Sequence, residues 1–232
     1  MTRLKFHEGL EELKQKLLEM AGLAEQAVGR TIEAYRKRDA GLCQRVLEDE
    51  PNINRAEREI DELAFDLLAM QQPMAVDLRF ILAVIKINAD LERVGDQAVN
   101  IAERVMDMSS YPAAELPVDI PRMASTVAGM VKRALEAFIQ GDADLAQAVL
   151  EMDDIVDRMN RDAFVSLSKL MRNSPEASGP ALDSLLIARN LERVADHATN
   201  IAEDVIFWVR GADVRHHASA EEPPQAGPEG DA

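Results

Sequence analysis

Leu10, Leu13, Leu17, Met20, Ala24, Ala27 and Thr31 recur at alternating steps of three and four residues. That spacing lays a single apolar stripe along a helix. The stripe stops near 36–41, where Arg36, Lys37 and Arg38 suit a helix C-terminus and Gly41 permits a turn. A second pattern over about 42–70 places Ile53, Ala56, Ile60, Leu63 and Leu67 on one face. Pro51 falls inside it and predicts a kink, or failing that a break, because proline removes a backbone hydrogen bond. Pro73 marks the connection to a third helix over about 76–108. The stretch from Ser109 to Pro121 carries Pro112, Pro117 and Pro121 and reads as a linker. The pattern then restarts, with helices over about 122–140, 144–171 and 181–210, a turn at Gly141-Asp142 and a loop over 173–180. No segment alternates as a strand. The expected fold is all-α, with short connections that make neighbouring helices antiparallel.

The chain repeats itself. Residues 91–103 read Leu-Glu-Arg-Val-Gly-Asp-Gln-Ala-Val-Asn-Ile-Ala-Glu, and residues 191–203 read Leu-Glu-Arg-Val-Ala-Asp-His-Ala-Thr-Asn-Ile-Ala-Glu. Ten of the thirteen positions are identical at an offset of 100 residues. A weaker echo, Val46-Leu47-Glu48 against Val149-Leu150-Glu151, sets Glu50 and Asn54 opposite Asp153 and Asp157 at an offset of 103. Duplication of a three-helix unit accounts for both. It predicts a first unit over 1–110, a second over 111–212, and a tail over 213–232 whose Pro-rich acidic end, from Ala218, has no apolar periodicity and is expected to be disordered.

At about 100° per residue, Val84, Ile87, Leu91, Val94, Ala98, Ile101 and Val105 form the core side of the third helix. Asn88, Glu92, Asp96, Asn100 and Glu103 fall on an arc nearly opposite, and Glu192, Asp196, Asn200 and Glu203 repeat it. A solvated helix face normally mixes charge signs, whereas this one stacks acids four apart at a cost of a few tenths of a kcal/mol per pair. Three readings fit that spacing. The acids are simply solvated, or they hold a hard or borderline cation, or Arg93 and Arg193 pair with acids on an adjacent helix. A general acid/base pair fits poorly, because catalysis wants one carboxylate in an apolar pocket and these acids turn from the core stripe. No phosphate-binding glycine loop and no Ser or Cys nucleophile signature is present, so an enzyme is not expected. His197 reads as a surface residue, and His216 and His217 as part of the tail.

Composition narrows the picture further. Apolar residues make up 47% and aromatics only 4%, a mix that supports a helical core. A net charge of −16 disfavours nucleic acid as a partner. Cys43 is the only cysteine, which excludes an intrachain disulfide and fits a reducing compartment. No stretch approaches the roughly 20 apolar residues of a membrane span, so a soluble cytoplasmic protein is expected. Ile206-Phe207-Trp208-Val209 is a short apolar cluster at a helix end.

The twin blocks, together with Gln72-Pro73-Met74-Ala75-Val76-Asp77-Leu78-Arg79, resemble the repeated Glu/Asp-x-x-x-Asp signature of PhoU proteins across about residues 4–212. The resemblance implies two tandem three-helix bundles related by a pseudo-twofold axis, each with an acidic surface that holds metal. By motif match the ligands are Glu92 and Asp96, and Glu192 and Asp196. Asn100, Glu103, Asn200 and Glu203 are weaker additions, and Glu50 with Asn54, and Asp153 with Asp157, complete the clusters from the second helix of each unit. The metal would be a divalent or trivalent ion: iron, zinc, manganese or magnesium. The resemblance further implies a cytoplasmic negative regulator of the phosphate-starvation response and modulator of phosphate uptake. Its implied partners are the ATPase of the phosphate ABC transporter and the phosphate-sensing histidine kinase, through which alone it would meet the membrane. A homodimer is also expected. A carboxylate-bridged metalloenzyme and a metal-free helical adaptor are the alternatives.

Overall fold

The computed structural model describes residues 3–70, 73–112, 115–212 and 214. Gln72 of the signature, His216, His217 and the Pro-rich stretch 218–232 lie outside the described residues. Six helices carry the fold: α1 (Arg3–Lys37), α2 (Ala40–Met70), α3 (Ala75–Met108), α4 (Ile120–Gln140), α5 (Ala143–Asn173) and α6 (Ser178–Arg210), with a single 3-10 turn at Pro175–Ala177. No strand is present among the described residues, as the periodicity predicts. No described helix is long and apolar enough to cross a membrane.

The helices start earlier than the pattern places them, and in α2, α4 and α5 an aspartate cap reaches into the connection. Asp119 accepts a hydrogen bond from the Arg122 amide and starts α4 two residues ahead of expectation. Pro121 then sits in the first turn, where its missing N–H costs nothing. Pro180 does the same in α6, so the expected loop over 173–180 shrinks to the 3-10 turn. Pro51 does not break α2, which runs continuously from Ala40 to Met70.

Packing is antiparallel and duplicated. In the first bundle Lys16 meets Glu59 and Arg30 meets Asp49 across α1–α2, while Asn88 reaches Glu57 and Asp61 across α2–α3. In the second bundle Arg133 meets Met152 across α4–α5, and Arg210 pairs with Asp144 across α5–α6. The most extensive contact of all is between α3 and α6, which join the two bundles along their length. Leu13, Leu17, Ile87, Leu91, Leu167 and Ile187 are essentially inaccessible. Burial of side chains of this size contributes about 1.5–3 kcal/mol each.

The α3–α6 seam also carries polar groups. Asp90 accepts hydrogen bonds from Asn200 at 3.2 Å and meets His197 Nδ1 at 2.9 Å, and Lys86 pairs with the buried Asp204 at 3.0 Å. His197 is therefore not a surface residue: it is a part-buried member of the inter-bundle seam. At one end Phe80, Phe138 and Trp208 cluster with ring centroids 5.1–5.9 Å apart, bringing together α3, α4 and α6. Of the apolar cluster at the end of α6, Ile206 is buried and Trp208 packs inward while Val209 is exposed, and Arg79 donates to the Trp208 carbonyl.

The α1 and α4 ends are built alike. The amides of Asp39 and Asp142 bond back to the carbonyls of Ala34 and Ala137, and each aspartate side chain then caps the next helix. The residue ahead of each aspartate takes the left-handed conformation. In α4 it is Gly141 at φ 61°, and in α1 it is Arg38 at φ 52°. Arginine there costs about 1–2 kcal/mol relative to an unstrained residue.

Candidate metal-binding faces

The thirteen-residue repeat folds as a repeat. From Leu91 to Ala102 and from Leu191 to Ala202 each position has the same degree of burial, and the two series part only at Glu103, exposed, and Glu203, half-buried. Glu92 and Glu192 are half-buried, while Asp96 and Asp196 open to solvent one turn on. The acidic arc does not lie opposite the core. It borders the seam with the preceding helix, and Asn88, expected on that arc, is fully buried against Glu57 and Asp61. The helical wheel fails here because α3 is buried on three sides, by α1, α2 and α6, which leaves a narrow solvent-facing strip.

On the first face α2 supplies Glu50, Asn54 and Glu57, all half-buried. Burial, then the charges of Asp96 and Glu57, then Glu50, push the Glu92 carboxyl above its usual range. Burial and Glu50 do the same to Asp96. On the second face burial, then Asp196, Asp157 and Asp154, raise Asp153. Burial and Asp157 raise Glu192, and burial, Glu192 and Asp157 raise Asp196, with His197 and Arg193 opposing. Each face thus gathers carboxylates from two neighbouring helices that repel one another. The carboxyls are raised after all, by burial first and by shared crowding second, in both copies rather than at one isolated acid.

The remaining predicted positions divide. Asn54 bonds to Glu50, and Asp157 holds Arg161 at 3.1 Å on its own helix. Asn100 faces Gln97, and Glu103 lies 3.9 Å from Arg104, so neither is drawn into the carboxylate group. Asn200 is turned to Asp90 in the seam. Arg93 meets Asp90 on its own helix at 3.9 Å and does not bridge to α2. The sequence reading missed Glu57. It lies seven residues beyond Glu50, two turns along the same stripe of α2, and its place in the second copy is taken by Asn160.

Do these residues fit a cation? The donors are oxygens throughout, the choice of hard ions such as magnesium, manganese and iron. The amide oxygens of Asn54 and Asn88 are buried with no hydrogen-bond partner among the described residues. Among the described residues no three acidic, histidine or cysteine side chains converge tightly enough to enclose one ion. The faces are therefore open two-helix surfaces on which water would complete a metal's shell, and in that form the donor set fits.

Close approach of α2 to α3 depends on Gly95, between Glu92 and Asp96. A Cβ there would stand 2.9 Å from Ile53 Cδ1. In the second copy the corresponding positions hold Ala195 and Val156, both buried, so one methyl has moved across the seam. Ile53→Val is accordingly expected to cost about 1 kcal/mol in the parent and close to nothing in Gly95→Ala, read as midpoints in urea. Equal costs in both backgrounds would show that the two positions are not coupled. Beside the second face a groove of about 650 Å³ between α5 and α6 runs from exposed Phe164 and Val165 past Leu185 and Leu186 to Glu192 and Asp196.

The family model described as the PhoU domain matches twice, over residues 17–105 and 120–205. A phosphate-specific transport system accessory protein PhoU homolog of Pseudomonas aeruginosa is 42% identical over 91% of this chain and 88% of its own length. A homolog of the same description from Clostridium acetobutylicum is 33% identical over 92% of this chain and 98% of its own. Among solved structures, PhoU from Pseudomonas aeruginosa superposes with a TM-score of 0.85 at 40% identity, covering 89% of this chain and all of that one. The phosphate transport system regulatory protein PhoU from Streptococcus pneumoniae gives 0.83 at 26% identity, covering 90% and 99%. With both helical bundles matched and the repeated acidic blocks in place, the chain belongs to the PhoU family.

Proposed function

We propose that this chain is a cytoplasmic negative regulator of the phosphate-starvation response and a modulator of phosphate uptake, rather than an enzyme. Its relatives are named as accessory proteins of the phosphate-specific transport system, which supports the transport link. The finer reading is a metal-loaded adaptor that contacts the transporter ATPase and the phosphate-sensing histidine kinase. One observation carries it: on each bundle, carboxylates from two adjacent helices gather on one face, where burial first and then their mutual charge raise their pKa. Glu92, Asp96, Glu50 and Glu57 would hold an ion on the first face, and Glu192, Asp196, Asp153 and Asp157 on the second. A bound cation would relieve the repulsion and turn a negative patch into one that a partner's acidic or neutral surface tolerates. The groove beside Glu192 and Asp196, with Phe164, Val165, Leu185 and Leu186 among Arg161, Arg189 and Arg193, supplies mixed contact area next to that charge.

The test is genetic. A strain lacking this gene is expected to make alkaline phosphatase in phosphate-rich medium, and the restored gene to switch it off again. Phosphatase that stays off in the deletion strain, with the starvation response intact, would reject the regulatory role.

A further inference from the structure

We infer that the ends of α1 and α3 and residues 116–121 form a second ligand site, one that takes an oxyanion of the phosphoryl class. A cavity of about 360 Å³ is lined there by Tyr35, Arg36 and Arg38, over a floor that includes Val105, Met108 and Leu116. In a chain with 42 acids and 26 basic residues, neither guanidinium has an ion-pair partner among the described residues. The nearby carboxylates keep their charge, but each already has a partner. Glu33 holds Lys37, Asp39 caps α2, and Asp119 caps α4. Tyr35, half-buried, adds a neutral polar side chain to the same lining.

The backbone makes the second argument. Arg38 occupies the left-handed cap position that the duplicated bundle gives to Gly141, so the first bundle holds an arginine where a glycine would be unstrained. Cations in the last turn of a helix complement its dipole, which accounts for Lys37 and favours Arg36. That effect does not call for an arginine in the left-handed cap, nor for two guanidiniums on one cavity. Guanidinium forks match the paired oxygens of a tetrahedral oxyanion. The cavity is larger than one such ion, and its floor is apolar, which fits a phosphoryl group carried on an apolar body better than free inorganic phosphate. The site lies away from the acidic faces and does not depend on them.

The test is calorimetric titration of the full chain, in chelator to silence any metal, with inorganic phosphate and with phenyl phosphate. Saturable binding is expected, tighter for phenyl phosphate by about tenfold, and either ranking supports the site while naming the source of the anion. Arg36→Gln with Arg38→Gly is expected to weaken binding at least tenfold. Arg38→Gly alone is expected to melt above the parent, since glycine relieves the strain, yet to bind more weakly, a pairing that misfolding cannot produce. No saturable binding of either compound, or binding unchanged in the double variant, would overturn the inference.

Discussion

Replacing Asp96 and Asp196 together by asparagine is expected to raise the melting temperature of the metal-free protein and to remove the further rise that manganese gives the parent. Both signs follow from the direction of the pKa shifts. Burial and like charge raise these carboxyls in the folded state. A carboxylate raised on folding carries no penalty below its unfolded value, near 4, and a growing one as pH climbs through the folded value. At neutral pH the folded protein therefore carries a standing repulsion, which asparagine removes at nearly constant shape. The gain is modest, a few tenths of a kcal/mol per relieved pair. The metal effect is larger: an ion at a hundred times its dissociation constant stabilises by about 2.7 kcal/mol per site, and more above that. Lowering the pH from 7 towards the unfolded carboxyl value, near 4, should accordingly favour the metal-free parent and weaken metal binding, because protons and cations compete for the same oxygens. Melting curves with manganese and with chelator, for parent and variant at both pH values, give the whole pattern. A variant that melts lower than the parent in chelator would mean these acids stabilise the fold, contrary to the electrostatic account.

Phe138→Ala is expected to cost about 3–5 kcal/mol and to loosen the junction of the two bundles. Phe138 is fully buried, its ring stacked on Phe80 of α3 at 5.9 Å and tilted against Trp208 of α6 at 5.5 Å. The hole would open between Phe80 and Trp208, beside the Ile139 carbonyl to which Lys14 donates at 3.1 Å. Trp208 is the only tryptophan, so its emission should shift to longer wavelength in the folded variant, and its unfolding midpoint in urea should fall. A variant with the parent's emission and midpoint would show that the cluster is not structural.

Much of this was legible in the sequence, for stateable reasons. The helix stripes follow from apolar spacing alone, and the duplication from a block too long to arise by chance. Helix ends were less legible, because Asp119 and the prolines at 121 and 180 act through capping geometry rather than through the stripe. The helical wheel misled at Asn88 and His197 for one physical reason. It assumes a helix with one buried side, whereas α3 and α6 lie at the centre and bury most of their circumference against each other and their own bundles. Polar residues on such helices are recruited into seams: His197 and Asn200 to Asp90, and Asn88 to α2. Glu57 escaped notice because the duplicate carries Asn160, so a search for repeated acids passes over it. The Gly95-to-Ala195 exchange is intelligible only with α2 in view, where Ile53 and Val156 carry the matching change.

The most direct test of the account is to count metal on the purified protein. The chain is equilibrated with manganese or ferrous ion, dialysed, and measured by elemental analysis beside the Asp96/Asp196 and Glu92/Glu192 double variants, with circular dichroism to confirm the helices. The account predicts at least one ion per acidic face in the parent, falling to near zero in both variants while helicity stays at the parent's level. The same metal content in the parent and in folded variants would contradict it, as would a parent that retains no metal at all.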